Sequence, residues 1–132
     1  MSWYFDSSAL TKLVATELES GELARVIAAG RWSISASALV RTELARAVMR
    51  KDGSVLKLRD LLGEIDLIPV SDAALDLAGR LQPPALRSLD AVHIASAVLL
   101  GSSCEGIVSY DVRMQAAARR AGLAVIAPGQ GA

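Results

Sequence analysis

Gly106-Ile107-Val108-Ser109-Tyr110-Asp111, then Val112 to Ala121, Gly122 and Leu123-Ala124-Val125-Ile126: this stretch decides the fold. The short apolar run Ile107-Val108 between small residues reads as a buried strand that stops at Asp111. Val112 to Ala121 reads as a helix closed by Gly122, and Leu123 to Ile126 as a final strand before Pro128. Two short strands joined by a helical crossover must run parallel, because a tight hairpin cannot hold a helix of that length.

Working outward, the same unit recurs. Trp3-Tyr4-Phe5 is an apolar strand that stops at Asp6, and Ser8 is expected to cap a helix carrying Leu10, Leu13 and Val14 at helical spacing. Glu22 to Ala29 is a helix ending at Gly30, and Trp32-Ser33-Ile34-Ser35 alternates as a half-buried strand. Ser37 is expected to cap a long helix to about Lys51, with Val40, Leu44, Ala47 and Val48 as its stripe. A helix over about Val55 to Leu62 precedes a strand, Ile65 to Val70, whose Pro69 predicts an edge position. Ser71 begins another helix, Pro83-Pro84 breaks it, and Ser88 is expected to cap one more, running to about Leu100 and closed by Gly101. Alternating strands and helices predict an α/β fold: a three-layer sandwich with a mainly parallel sheet of about five strands, in one domain over residues 1–132.

The composition narrows the function. Fourteen basic residues balance fourteen acidic ones, so a polyanion must be held locally and not by the global field. Aromatics are only 4% of residues, too few for a base-stacking platform. One cysteine, Cys104, excludes an internal disulfide and a cysteine-based zinc site, and it is read, with Trp3 and Trp32, as packing. No apolar run approaches the ~18 residues of a membrane span, and the opening residues are not a basic signal region, so a cytoplasmic location is expected.

Four carboxylates stand in unusual places. Asp6 and Asp111 each follow an apolar strand, at the carboxyl rim where parallel sheets bind ligands. A turn or cap role explains either one taken singly. Glu43 sits between Val40 and Ala47 on the flank of a core-facing stripe, and pairing with Arg46 does not explain a charge there. Asp90 lies in the first turn after Ser88, where the helix dipole favours an acid. Brought together, these four would repel one another, and a hard divalent cation that prefers oxygen ligands, Mg²⁺ or Mn²⁺, relieves that repulsion. They are therefore the candidate metal ligands and catalytic residues. Ser7, Ser8 and Ser109 flank them and can orient carboxylates, with Ser7 and Ser109 the chosen supporting residues. Arg46, Arg50, Arg87 and Arg113 are candidates for gripping RNA phosphates, with Lys51 beside Arg50, although solvation and dipole matching also account for basic residues at a helix end. His93, the sole histidine, is read as a packing or supporting residue.

These words resemble the PIN-domain family, and within it the VapC ribonuclease toxins of prokaryotic toxin–antitoxin pairs. Tyr4-Phe5-Asp6-Ser7-Ser8-Ala9-Leu10 is similar to the first motif of that family, and Ser37-Ala38-Leu39-Val40-Arg41-Thr42-Glu43-Leu44 to the second. Arg87-Ser88-Leu89-Asp90-Ala91-Val92-His93-Ile94-Ala95 is the most specific match, and Val108-Ser109-Tyr110-Asp111-Val112-Arg113-Met114, followed by Ala121-Gly122-Leu123 and Pro128, resembles the fourth. The resemblance implies Asp6, Glu43, Asp90 and Asp111 as metal ligands of an endoribonuclease. It also implies a homodimer and a cognate VapB-type antitoxin. Two rivals come from the residues alone: an aspartate-based phosphatase, which would want a second aspartate two residues after Asp6, and an acidic binding module without cleavage.

Overall fold

Residues 1–131 are described by the computed structural model, in which every strand is parallel to its neighbours. The strands are β1 (Ser2–Phe5), β2 (Ser33–Ser37), β3 (Asp66–Ile68), β4 (Ile107–Val108) and β5 (Val125–Ile126), ordered β3-β2-β1-β4-β5 across one sheet. The helices are α1 (Ser7–Val14), α2 (Ser20–Gly30), α3 (Val40–Lys51), α4 (Val55–Glu64), α5 (Asp72–Ala78), α6 (Ser88–Leu100) and α7 (Val112–Arg120). The third strand is shorter than expected, stopping at Ile68 directly before Pro69, and lies at an edge, as the proline predicts.

Strand alternation divides the core into two layers. Phe5 and Val108 face a cluster with Leu10, Leu23, Leu44 and Leu58 from α1 to α4, while Tyr4 and Ile107 face Ile94, Met114 and Ala118 from α6 and α7. Central helix α6 is buried continuously from Ala91 to Ala97, which explains an apolar composition around its whole circumference. At the sheet centre β1 and β4 pair in the register Tyr4↔Ile107 and Phe5↔Val108. Gly106 is required there, because a Cβ would lie 2.3 Å from the Ala124 carbonyl oxygen of the neighbouring segment.

Three expected helix caps are corrected. Asp6, not Ser8, caps α1: its Oδ1 accepts from Ala9 N at 3.0 Å. Ser37 is not a helix cap but the last residue of β2; its backbone is drawn into the sheet layer, donating N–H to Tyr4 Oη at 3.1 Å, and α3 begins only at Val40. Ser88 is itself the first residue of α6, whose preceding residue, Arg87, makes no side-chain cap bond. For Ser8 and Ser37 a tertiary bond, from Tyr110 N and to Tyr4 Oη respectively, takes the place of the local capping role.

Candidate metal centre

Both rim aspartates are built by the strand-to-helix turns that carry them. Asp6 ends β1 in extended conformation and caps α1, and Asp111 caps α7 by accepting from Arg113 N at 2.9 Å and Met114 N at 3.0 Å. The capping role foreseen for such residues is therefore real, and it fixes where each carboxylate stands. Asp6 is 2% exposed and cradled by two serines. Ser8 Oγ donates to its Oδ1 at 2.6 Å and accepts from Tyr110 N; Ser109 Oγ donates to its Oδ2 at 2.5 Å and accepts from Asp111 N. Each hydroxyl thus ties the Asp6 carboxylate to the end of β4. Burial pushes the Asp6 carboxyl above the usual range, and the bonds from Ser109, Ser8 and Ala9 only partly offset it. Gln115 and Gln130 brace the same turn through the Ser109 and Tyr110 carbonyls.

All four predicted acids line one cavity of about 780 Å³ above this rim. Glu43 reaches it from the first turn of α3, and Asp90 from the first turn of α6. Ser7 lines it too, with a 3.5 Å contact to Glu43 Oε2, whereas Ser109 lies fully buried beneath Asp6. Arg46, Arg50 and Arg87 lie on its wall, but Arg113 does not. Arg113 lines an adjacent, more apolar hollow with Leu86, Ala117 and Arg120, because it follows Asp111 around the turn and away from the acids.

Arg87 spans two of the acids: Nε donates to Asp90 Oδ2 at 3.0 Å and Nη2 stands 3.5 Å from Asp111 Oδ2. Its guanidinium is held more firmly protonated by Asp90. Among the described residues no three acid, histidine or cysteine side chains stand close enough to form a ready-made metal shell. The donor chemistry nonetheless fits a hard divalent ion. Glu43 Oε2 has one long contact, Asp90 is bonded through Oδ2, and Asp111 Oδ2 meets only the distant guanidinium, which leaves unused oxygen lone pairs facing the cavity. Arg87 already bridges two of them as a cation does, and an ion would draw the acids together in its place.

Two features escaped sequence reading. Lys12 lines the cavity beside Lys51, and Glu17 clamps both lysines while Tyr110 lies under the Lys12 ammonium. The face carrying Ser8, Thr11 and Lys12 at i, i+3 and i+4 was the available signal. His93, read as a packing or supporting residue, is 1% exposed and joins Tyr4 Oη to Glu43 Oε1, each at 2.7 Å, two bonds its sequence position did not specify.

Known proteins resemble this chain in sequence and in fold. The PIN domain family profile matches residues 3–120. Ribonuclease VapC46 of Mycobacterium tuberculosis is 45% identical over 126 residues, covering 95% of this chain and 96% of that protein. The crystal structure of M. tuberculosis VapC20, described as a Sarcin-Ricin loop cleaving toxin, superposes with a TM-score of 0.71 at 17% identity, covering 97% of this chain and 100% of that one. VapBC2 from Rickettsia felis, solved bound to a DNA fragment from its promoter, gives a TM-score of 0.69 at 15% identity over 97% of this chain and 99% of that one.

Proposed function

This chain belongs to the PIN domain family, and from that premise we propose that it is a metal-dependent endoribonuclease, the toxin of a type II toxin–antitoxin pair, acting as a single nuclease domain. The observation that carries the reading is one cavity lined both by the acids Asp6, Glu43, Asp90 and Asp111 and by the basic residues Lys12, Arg46, Arg50 and Lys51. Such a cavity would attract a phosphodiester through its basic residues and hold the scissile phosphorus beside its acidic ones.

Asp6, Glu43 and Asp90 would hold the principal ion, Mg²⁺ with Mn²⁺ as a substitute, and Asp111 would hold it through water, orient the attacking water or complete a second position. The chemistry such an ion supplies is polarisation of the phosphate and of a water for in-line attack. The protein's own groups do the rest. Arg46, Arg50, Lys12 and Lys51 neutralise the backbone on either side of the cut. Arg87, which lines the same cavity, would be free to pair with that phosphate once released from Asp90 and Asp111. Ser8 and Ser109 keep the Asp6 carboxylate from rotating. Arg113, in the neighbouring hollow, is left to bind flanking RNA.

No helix among the described residues is long and apolar enough to cross a membrane, which accords with action on cellular RNA in the cytoplasm. A VapB-type antitoxin is the partner that the toxin–antitoxin neighbours suggest. A homodimer is the assembly we assign, with exposed Met49, Val55 and Leu56 supplying apolar surface for it. Incubating the protein with total cellular RNA, with and without EDTA, and mapping the ends tests the activity. Discrete EDTA-sensitive cuts support it; intact RNA in Mg²⁺ and in Mn²⁺ refutes it.

A further inference from the structure

The chemistry above makes no use of His93, a buried polar group beside the acids. A buried imidazole needs partners for both nitrogens, and here both are supplied from other elements. Nδ1 lies 2.7 Å from the hydroxyl of Tyr4 on β1, and Nε2 lies 2.7 Å from Glu43 Oε1 on α3. Direction is set at the far end. The Tyr4 oxygen already accepts the Ser37 N–H at 3.1 Å, and a backbone amide can only donate. The phenolic hydrogen is then free to point at Nδ1. With Nδ1 accepting, the ring proton sits on Nε2 and is donated to Glu43. The opposite polarity would turn the Nε2 lone pair onto a carboxylate oxygen, setting two acceptors 2.7 Å apart.

We infer that Tyr4 and His93 are positioning residues: a one-way relay from the Ser37 amide through Tyr4 and His93 pins Glu43 by Oε1 and presents Oε2 to the cation. The inference rests on the reading of Glu43 as a metal ligand. It gives a reason for a tyrosine inside a sheet and a histidine on the buried stretch of a helix, 89 residues apart, to meet below an acid. Outer partners of this kind orient a ligand and typically alter metal affinity 10- to 100-fold.

Since His93 is the sole histidine, long-range ¹H–¹⁵N NMR of the full chain reports a single imidazole. The relay predicts the proton on Nε2 at neutral pH in the wild-type protein and loss of that preference in Tyr4→Phe, which removes one oxygen and keeps the ring. A proton on Nδ1 in the wild type, instead of or in addition to that on Nε2, would overturn it. Binding of Mn²⁺ alone, followed by electron paramagnetic resonance, supplies the second arm. His93→Leu should weaken it about 10- to 100-fold, while His93→Gln, whose amide reaches the Nε2 position, should remain near wild type. Unchanged affinity in His93→Leu against a wild type that binds would overturn the relay. A wild type that binds no Mn²⁺ would instead sink the metal reading of Glu43, and the NMR result would still decide the relay's direction.

Discussion

Asp6 concentrates a conflict between folding and chemistry, because it is a carboxylate almost wholly withdrawn from water. Its folded-state carboxyl is raised, chiefly by burial. The native metal-free protein therefore holds that proton more tightly than the unfolded chain, whose aspartate titrates near ~3.9. Stability from this group is complete below the unfolded value and is lost as pH rises through the folded one. Asp6→Asn keeps an oxygen for the α1 cap and removes the charge. We expect metal-free Asp6→Asn at neutral pH to melt a few degrees above wild type, the shift that ~1 kcal/mol gives in a domain of this size. RNA cleavage in Mg²⁺ should fall by at least ~100-fold, as loss of an electrostatic group at a reacting centre does. Thermal melts at acid and neutral pH, with a cleavage assay, check both. At this scale Glu43 was legible because it sets a charge against an apolar stripe, whereas Asp6, Asp90 and Asp111, each explicable singly as a cap or first-turn acid, were legible only together and through their motifs. Tyr4 and His93 were not, since each is unremarkable in its own element and gains meaning only across the core.

At the scale of elements, the turns that cap helices also aim the acids, so stability and activity can be separated by substitution. Asp111 holds the start of α7 through two backbone amides. Asp111→Ala should cost ~1 kcal/mol, while Asp111→Asn, a comparable cap, should leave the unfolding midpoint nearly unchanged. Both should lose cleavage, and urea titration with an RNA assay distinguishes the two effects. A second link joins α1, the following loop and α3. Partial burial pushes the Glu17 carboxyl up, but the bonds from Lys51 and Lys12 more than reverse it, so its folded value lies below the ordinary one. Stability from Glu17 is then present above the unfolded carboxyl range near ~4.3 and lost as pH falls through the folded value. Glu17→Gln should be less stable than wild type at neutral pH by no more than ~1 kcal/mol, as for a surface ion pair, and the difference should vanish in acid. The strands and helices were legible in order and type from period and punctuation. Their starts were not: Ser8, Ser37 and Ser88 are all good caps, but Asp6 takes the first role and the sheet takes Ser37, choices made by tertiary neighbours.

In the whole molecule, α6 is the element through which core and site depend on each other: Ile94 packs under Tyr4 and Ile107 one residue beyond His93, and Asp90 opens the same helix. Ile94→Ala should destabilise by about 2–5 kcal/mol, as other buried isoleucine truncations do. Its Mn²⁺ affinity should also weaken below the melting transition, because the helix that sets Asp90 and His93 loses its seat. Calorimetry and metal titration on one sample measure both. The parallel sheet and its acidic rim were readable from residue pattern, whereas the basic lining was only half readable: Arg46, Arg50 and Lys51 follow Glu43 along one helix, but Lys12 arrives from another and Arg113 turns into the neighbouring hollow. The central claim is that four acids distant in sequence share one divalent ion. Anomalous scattering from a crystal soaked in Mn²⁺ measures this directly. We predict a peak within coordinating distance of Asp6, Glu43 and Asp90, with Arg87 displaced from Asp90; no peak in that cavity, with the Arg87 bridge intact, would contradict the account.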